Sequence, residues 1–374
     1  MIVWIGALSG FWSVGGREGP IAWHAHEMLF GYASAALGGF VLTAVPNWTG
    51  RLPVSGWRLS VLLGLWVAGR VASFVPDLLG SVLSAAIDAS FLPALAFVVA
   101  REVIAGHNWQ NLRVAVGISL LGALNLAFHL TVLTGADPSL VLRGTVAVYV
   151  TLIGHIGGRI IPSFTRNYIA RRGGSRLPAP MSPFDQSALA SLLVAGLCWT
   201  VVPDTYITAA AATVAAGLNA ARLGRWRGVA TWREPLLLVL HIAYAFIPLG
   251  YVAVALSALG VWSAPSALHL LTVGAIGLTT LAVMTRASRG HTGRALTASP
   301  LTATAYLCLL VAAVLRPLAE LAPDFYQSIL AFSAVGWITA FALFVIEHAP
   351  ILMQASMVSK KAPSSTASFR AAQT

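Results

Sequence analysis

Residues 23–48 read WHAHEMLFGYASAALGGFVLTAVPNW. The stretch opens with two histidines and a glutamate and continues as an apolar run of about 20 residues, the length that crosses a bilayer as a helix. This run predicts a transmembrane helix. The polar cluster at its start indicates a function, because ionisable groups within membrane spans are costly and usually face the interior of a bundle.

The rest of the chain repeats this apolar pattern. Of its 374 residues, 57% are hydrophobic and only 9% are charged, against about 25% charged residues in soluble domains. We therefore predict an all-α fold, a polytopic transmembrane helical bundle of about 12 spans. Residues 1–14 are interpreted as the second half of a span that begins outside this chain. The other predicted spans are 26–48, 57–79, 80–100, 112–133, 139–163, 187–202, 205–222, 234–258, 265–287, 299–321 and 326–348.

The domain organisation predicted from these spans is a single bundle over residues 1–358. Its halves, about 1–166 and 187–348, are joined by a basic loop at 167–186. The segment 359–374 is small and polar, which predicts a disordered cytoplasmic tail.

The positive charge indicates the topology. The net charge is +11, and basic residues collect in every second connection, which by the positive-inside rule predicts that both termini lie in the cytoplasm. Topology explains this charge, so no nucleic acid is expected as a partner. The two cysteines, Cys198 and Cys308, lie inside predicted spans and form no disulfide or thiolate motif. The basic residues are Arg51, Arg58, Arg101, Arg113, Arg166, Arg171, Arg172, Arg176, Arg222, Arg225, Arg227, Arg233, Arg286, Arg289, Arg294, Lys360, Lys361 and Arg370.

Two segments resemble each other within the chain. GHIGGRIIPSFTR (154–166) and GAIGLTTLAVMTR (274–286) share G-x-I-G and a final T-R. Close packing of glycines between membrane helices is one explanation. The alternative is a four-helix unit used three times, with the span 26–48 as the third equivalent helix.

The histidines fall into two layers when each is placed by its distance along its span. A lone membrane histidine is usually a hydrogen-bonded packing residue, whereas several at one depth on different helices favour a haem or metal site. Glu27 is interpreted as a partner of a ligand imidazole, as a proton carrier or as a charge that complements a helix dipole. The outer layer holds His24, His26, His129 and His269, and the inner layer holds His155 and His241, with His291 and His348 at the surface below.

Three charged residues inside spans call for partners. Arg159 lies one turn from His155 and requires a negative group, such as a haem propionate or an acidic side chain, unless it snorkels to the surface. Arg70 and Asp88 are predicted to pair with each other.

Six motifs in order resemble the NnrS family of bacterial inner-membrane proteins. They extend from Trp23 to Arg294, and the resemblance implies a protein containing haem b and copper that acts in nitric-oxide tolerance during denitrification or nitrosative stress. The motifs are WHAHEMLFGY, GGFVLTAVPNWTGR, RIIPSFTRN, REPLLLVLHIAY, ALHLLTVGAIG and VMTRASRGHTGR.

The resemblance also carries a hypothesis about the site. Nitric oxide, the lipid bilayer and a quinol or other electron donor are the expected partners, and nitric-oxide-reductase-type redox activity is a hypothesis in which Glu27 carries protons. An ion-coupled twelve-span transporter is one alternative. A sensor or metal-protection protein without catalysis is another. The residues assigned to cofactor binding are His26, His155, His241, His269 and Arg159, and those assigned to metal binding are His24, His26, His129, His269 and His291.

Overall fold

A computed structural model describes residues 1–74 and 79–354 and confirms an all-α helical bundle. Within these residues the chain forms twelve helices, where consecutive helical segments are counted as one helix and the short 3₁₀ turn Gly228–Thr231 is left out. The helices are α1 (Ile2–Leu8), α2 (Gly16–Thr49), α3 (Trp57–Phe74), α4 (Ser81–Ala105), α5 (Trp109–Thr134), α6 (Ser139–Arg171), α7 (Pro183–Val201), α8 (Tyr206–Gly224), α9 (Pro235–Ala258), α10 (Ala264–His291), α11 (Pro300–Leu321) and α12 (Pro323–Met353).

Nine of these helices are long and apolar enough to cross a membrane, so the chain is a multi-pass membrane protein. Every predicted span corresponds to a helix, but α1, α3 and α8 are not among the nine. Helix α1 is only 7 residues long. Helices α3 and α8 carry Arg70 and Arg222 within their length, and an arginine lowers the apolar character of a span.

The bundle is built mainly from helices that are neighbours in the chain. Helix α4 packs on α5, α7 on both α6 and α8, α8 on α9, and α11 on α12. Helix α2 contacts α4 and also α10, which brings the two ends of the bundle together. In its most apolar segment α9 is 72% buried and α12 only 17%. Helix α9 is therefore a core helix, and α12 lies at the edge.

Helices α2 and α10 each contain a π-helical segment directly after a histidine. Glu27–Ala33 follows His26, and Leu270–Gly277 follows His269. Both helices also carry the pattern Pro-x-Ala-x-His, in GPIAWH (19–24) and APSALH (264–269). Segments of π-helix occur frequently at functional sites. The four-helix repeat itself stays a prediction.

The connection between the two halves is shorter than the predicted loop at 167–186. Helix α6 continues to Arg171 and α7 begins at Pro183, where Ser182 and Asp185 form a capping box. In such a box each side chain binds the backbone N–H of the other residue, which starts a helix firmly. The predicted tail, 359–374, lies outside the described residues.

Candidate metal site

A buried polar cluster lies where α2, α4 and α5 meet. Helix α2 contributes His26, α4 contributes Asp88, and α5 contributes Asn125 and His129. Asn125 and His129 are four residues apart and therefore lie on the same face of α5. The exposed fractions of His26, Asp88 and His129 are 1%, 3% and 7%. The cluster is consequently shielded from its surroundings.

One carboxylate oxygen, Oδ2 of Asp88, is the centre of this cluster. It accepts hydrogen bonds from Nε2 of His129 at 2.8 Å, from Nδ2 of Asn125 at 2.9 Å and from Nε2 of His26 at 3.0 Å. Nε2 of His26 also lies 3.1 Å from Oδ1 of Asn125. The two imidazoles, from different helices, therefore point at the same atom.

An ion-pair network extends the cluster toward α3. Arg70 donates from Nη2 to Oδ1 of Asp88, which confirms the predicted pair, and from Nη1 to Oε1 of Glu27 at 2.5 Å. Nδ1 of His26 lies 3.3 Å from the same glutamate oxygen. Two carboxylates thus face one guanidinium, which leaves one negative charge to be balanced by a proton or a metal cation.

The histidine and carboxylate atoms are arranged as metal ligands would be. One ligand atom each from His26, Asp88 and His129 can be chosen so that all lie within 4.8 Å of one another. Imidazole nitrogen with carboxylate oxygen suits divalent iron, copper or zinc. Phe30 and Phe128 pack against the His26 ring, with ring centroids 5.3 and 4.9 Å away. These rings restrict the orientation of the imidazole and exclude water from it.

The other two histidines of the predicted outer layer, His24 and His269, lie outside this cluster. The His24 ring stacks on Trp4 with centroids 4.4 Å apart and lies close enough to His269 for their charges to interact. Nδ1 of His269 donates to the carbonyl of Pro265 at 2.6 Å, which leaves Nε2 as an acceptor. Of the predicted layer, the structure thus brings together His26 and His129, while His24 and His269 have other partners.

The predicted inner histidines have different surroundings. His241 is bound through Nε2 to Thr165 at 2.8 Å. Nδ1 of His241 and Nε2 of His155 are buried and have no hydrogen-bond partner in the described part of the chain. Arg159 donates to Oδ1 of Asn111 at 2.8 Å. His291 is exposed at the end of α10 and lines a groove of about 1080 Å³, together with Glu27 and Arg70.

The sequence interpretation missed two residues of the cluster. Asp88 was predicted only as the partner of Arg70, and Asn125 was assigned no role. The available signal for Asn125 was its spacing of four residues from His129, which places two polar groups on one face of an apolar helix. Asp88 could be linked to the histidines only by knowing that α2, α4 and α5 meet.

The fold and the cluster define a multi-pass membrane protein with a buried group of two histidines and an aspartate that could hold a metal ion. The sequence model of the family described as NnrS protein matches residues 1–356, and the chain belongs to this family. No curated protein matches the chain.

Proposed function

We propose that the protein binds a transition-metal ion between His26, Asp88 and His129, that this ion is copper, and that the protein acts on nitric oxide in a bacterial inner membrane. The convergence of three buried ligand atoms from three helices carries the metal proposal. The choice of copper and of nitric oxide rests on what the resemblance to NnrS proteins implies, and membership of that family supports it.

The residues around the three ligands favour a metal. Both ring nitrogens of His26 face oxygen acceptors, Nδ1 toward Glu27 and Nε2 toward Asp88. A hydrogen bond from Nδ1 to a carboxylate is the usual way in which proteins fix a ligand imidazole, with Nε2 left for the ion. A cation bound at Nε2 would replace a proton and neutralise the excess negative charge of Asp88 and Glu27. Glu27 is thus proposed as a positioning and proton-carrying residue.

Haem b is proposed as a second cofactor. His269 has one ring nitrogen fixed by the Pro265 carbonyl and His241 has one fixed by Thr165, and a hydrogen bond of this kind is typical of histidines that bind a metal through the other nitrogen. His155 and Arg159 are the remaining candidates, with Arg159 able to bind an acidic group. When bound, these cofactors would supply the redox chemistry.

Nitric oxide suits a buried centre of this kind. It is small, neutral and soluble in lipid, so it reaches the cluster without a polar channel. Reductive turnover would require protons, for which the Glu27 carboxylate lies 3.3 Å from His26, and electrons from a donor such as a quinol.

Metal and optical analysis of the detergent-purified full chain tests this proposal. We expect about one copper ion per chain, lost in His26→Gln, Asp88→Asn and His129→Gln, and a haem b spectrum that weakens in His155→Ala, His241→Ala or His269→Ala. His107→Asn is the matched control, because His107 is exposed and has a positive φ of 52°, which asparagine tolerates.

A folded protein that stays free of metal after growth and reconstitution with copper would contradict the metal proposal. The buried Asp88 and the partly buried Arg70 and Glu27 would then favour ion-coupled transport. If copper binds but nitric oxide is not consumed, a sensor or metal-protection role replaces the reductase hypothesis.

A further inference from the structure

A polar cavity lies where α2 ends and α3 begins, beside the end of α4. Its volume is about 560 Å³, within the roughly 300–1,000 Å³ of small-ligand sites. The walls come from the connection at 50–55, from the first turn of α3 and from the last two turns of α4. They carry three arginines, Arg51, Arg58 and Arg101, and one carboxylate, Glu102.

The single carboxylate does not balance the three arginines. Glu102 is buried, with 6% of its surface exposed. Nε of Arg51 donates to its Oε2 at 2.7 Å, and Nη2 of Arg101 lies 3.7 Å from its Oε1. Both carboxylate oxygens are therefore engaged by guanidinium groups. Two positive charges remain around the cavity, and a site lined by one sign of charge attracts ligands of the opposite sign.

The three guanidinium groups have N–H donors left for such a ligand. Within residues 1–74 and 79–354, no protein acceptor binds the terminal nitrogens of Arg51 or any guanidinium nitrogen of Arg58 and Arg101 by a hydrogen bond. Glu102 nevertheless holds two of the three groups in place. A guanidinium binds a phosphate through two parallel N–H···O bonds, so the cavity suits a phosphate group.

Exposed apolar side chains adjoin the cavity. Leu52 and Trp57 both line it and are strongly exposed, and tryptophan is enriched where a membrane meets water. Further along α3, Leu59, Leu63 and Val67 are also exposed. They are spaced by four residues and therefore follow one side of the helix. An apolar strip beside a phosphate-binding cavity suits a ligand with acyl chains.

We infer that this cavity binds the phosphate headgroup of an acidic phospholipid whose acyl chains lie along α3. Basic pockets between membrane helices on the cytoplasmic side bind such headgroups, and the positive-inside rule predicts that side for the connection with Arg51 and Arg58. A soluble phosphate compound would match the arginines but not the apolar strip. This inference does not depend on the metal or the haem of the proposed function.

Titration of the detergent-purified full chain with phosphatidylglycerol, followed by native mass spectrometry, tests the site. We expect phosphatidylglycerol to bind more tightly than phosphatidylcholine, whose headgroup has no net charge. Arg58→Gln should weaken its binding about tenfold, as the loss of one charged hydrogen bond would, and Arg101→Gln should weaken it by a similar factor. Arg58→Lys, which keeps the charge but loses the fork of donors, should restore part of the affinity.

Arg233→Gln is the matched control. Arg233 is also exposed, also follows a tryptophan and lies 4.6 Å from the centre of that ring, as Arg58 lies 5.7 Å from the ring of Trp57. It does not line the cavity, so its removal should leave the affinity for phosphatidylglycerol unchanged. Glycerol phosphate, added in excess, should fail to displace the lipid, because it lacks acyl chains.

Three results would overturn the inference. One is equal affinity of the folded, unaltered protein for phosphatidylglycerol and phosphatidylcholine. Another is an affinity in Arg58→Gln and Arg101→Gln equal to that of the control. The third is displacement of the lipid by an equal concentration of glycerol phosphate, which would assign the cavity to a soluble phosphate compound. Circular dichroism and size-exclusion chromatography establish that each variant is folded.

Discussion

Asp88 is the residue on which the buried cluster depends. Its two oxygens receive hydrogen bonds from four side chains that belong to α2, α3 and α5. A carboxylate buried to this extent is stable only when its lone pairs are occupied by donors. Its removal would leave Arg70 with Glu27 alone and would separate the two imidazoles from their common acceptor.

We expect Asp88→Asn to destabilise the chelator-treated protein by about 3–5 kcal/mol, the usual cost of breaking a buried pair by removing one partner. The measurement is denaturant-induced unfolding in a fixed detergent. Asp137→Asn is the control, since Asp137 is exposed and binds only the neighbouring Ser139, and it should change stability by less than about 0.5 kcal/mol. Equal stability of the two variants would mean that the Asp88 contacts contribute no net stability.

The residues of the cluster were only partly predictable from the sequence. His26 and His129 were assigned to one metal layer, and the Arg70 pair with Asp88 was predicted, because ionisable residues inside apolar helices require partners. The separation of His26 and His129 from the other two histidines of the outer layer could not be predicted. It depends on which helices pack together. The depth of a residue along its span does not tell how the helix is rotated about its axis or which helices are its neighbours.

At the level of helices, the apolar length of each span predicted its existence well. In the bilayer core no water is available, so the backbone N–H and C=O groups of a span must form hydrogen bonds with each other. Each long apolar run therefore forms a helix. The π-helical segments after His26 and His269 had no such signal. A π-turn adds one residue to a turn of helix, and its effect on the directions of side chains appears only in three dimensions.

Gly158 allows α6 to accommodate Arg222, which binds groups on α6, α7 and α9. We expect Gly158→Ala to lower the unfolding free energy by about 1–3 kcal/mol, because the new methyl group displaces a buried guanidinium. Gly217→Ala on α8 is the control. Gly217 is exposed with open space at its Cβ position, and alanine there should stabilise the helix by up to about 1 kcal/mol. Unfolding of both variants in the same detergent measures the difference. Destabilisation by Gly217→Ala, or none by Gly158→Ala, would contradict this explanation.

For the molecule as a whole, the family match and the helices agree on a multi-pass membrane protein, while its orientation rests on charge. The positive-inside rule counts arginine and lysine in short connections. The connection between α6 and α7 holds Arg172 and Arg176, whereas the one between α7 and α8 contains Asp204 and no basic residue. These two connections should therefore lie on opposite sides of the membrane.

We expect a Ser175→Cys variant in intact cells to be protected from a membrane-impermeant maleimide, and Asp204→Cys to be labelled. The background is a Cys198→Ala/Cys308→Ala protein, and opening the cells should make Ser175→Cys reactive. The same orientation would place the end of α12 in the cytoplasm, because six helices, α7 to α12, separate it from the α6–α7 connection. The reverse labelling pattern would contradict that orientation. It would also place the metal cluster, which lies on the ends of α2 and α5 nearer the connections that lack basic residues, toward the cytoplasm.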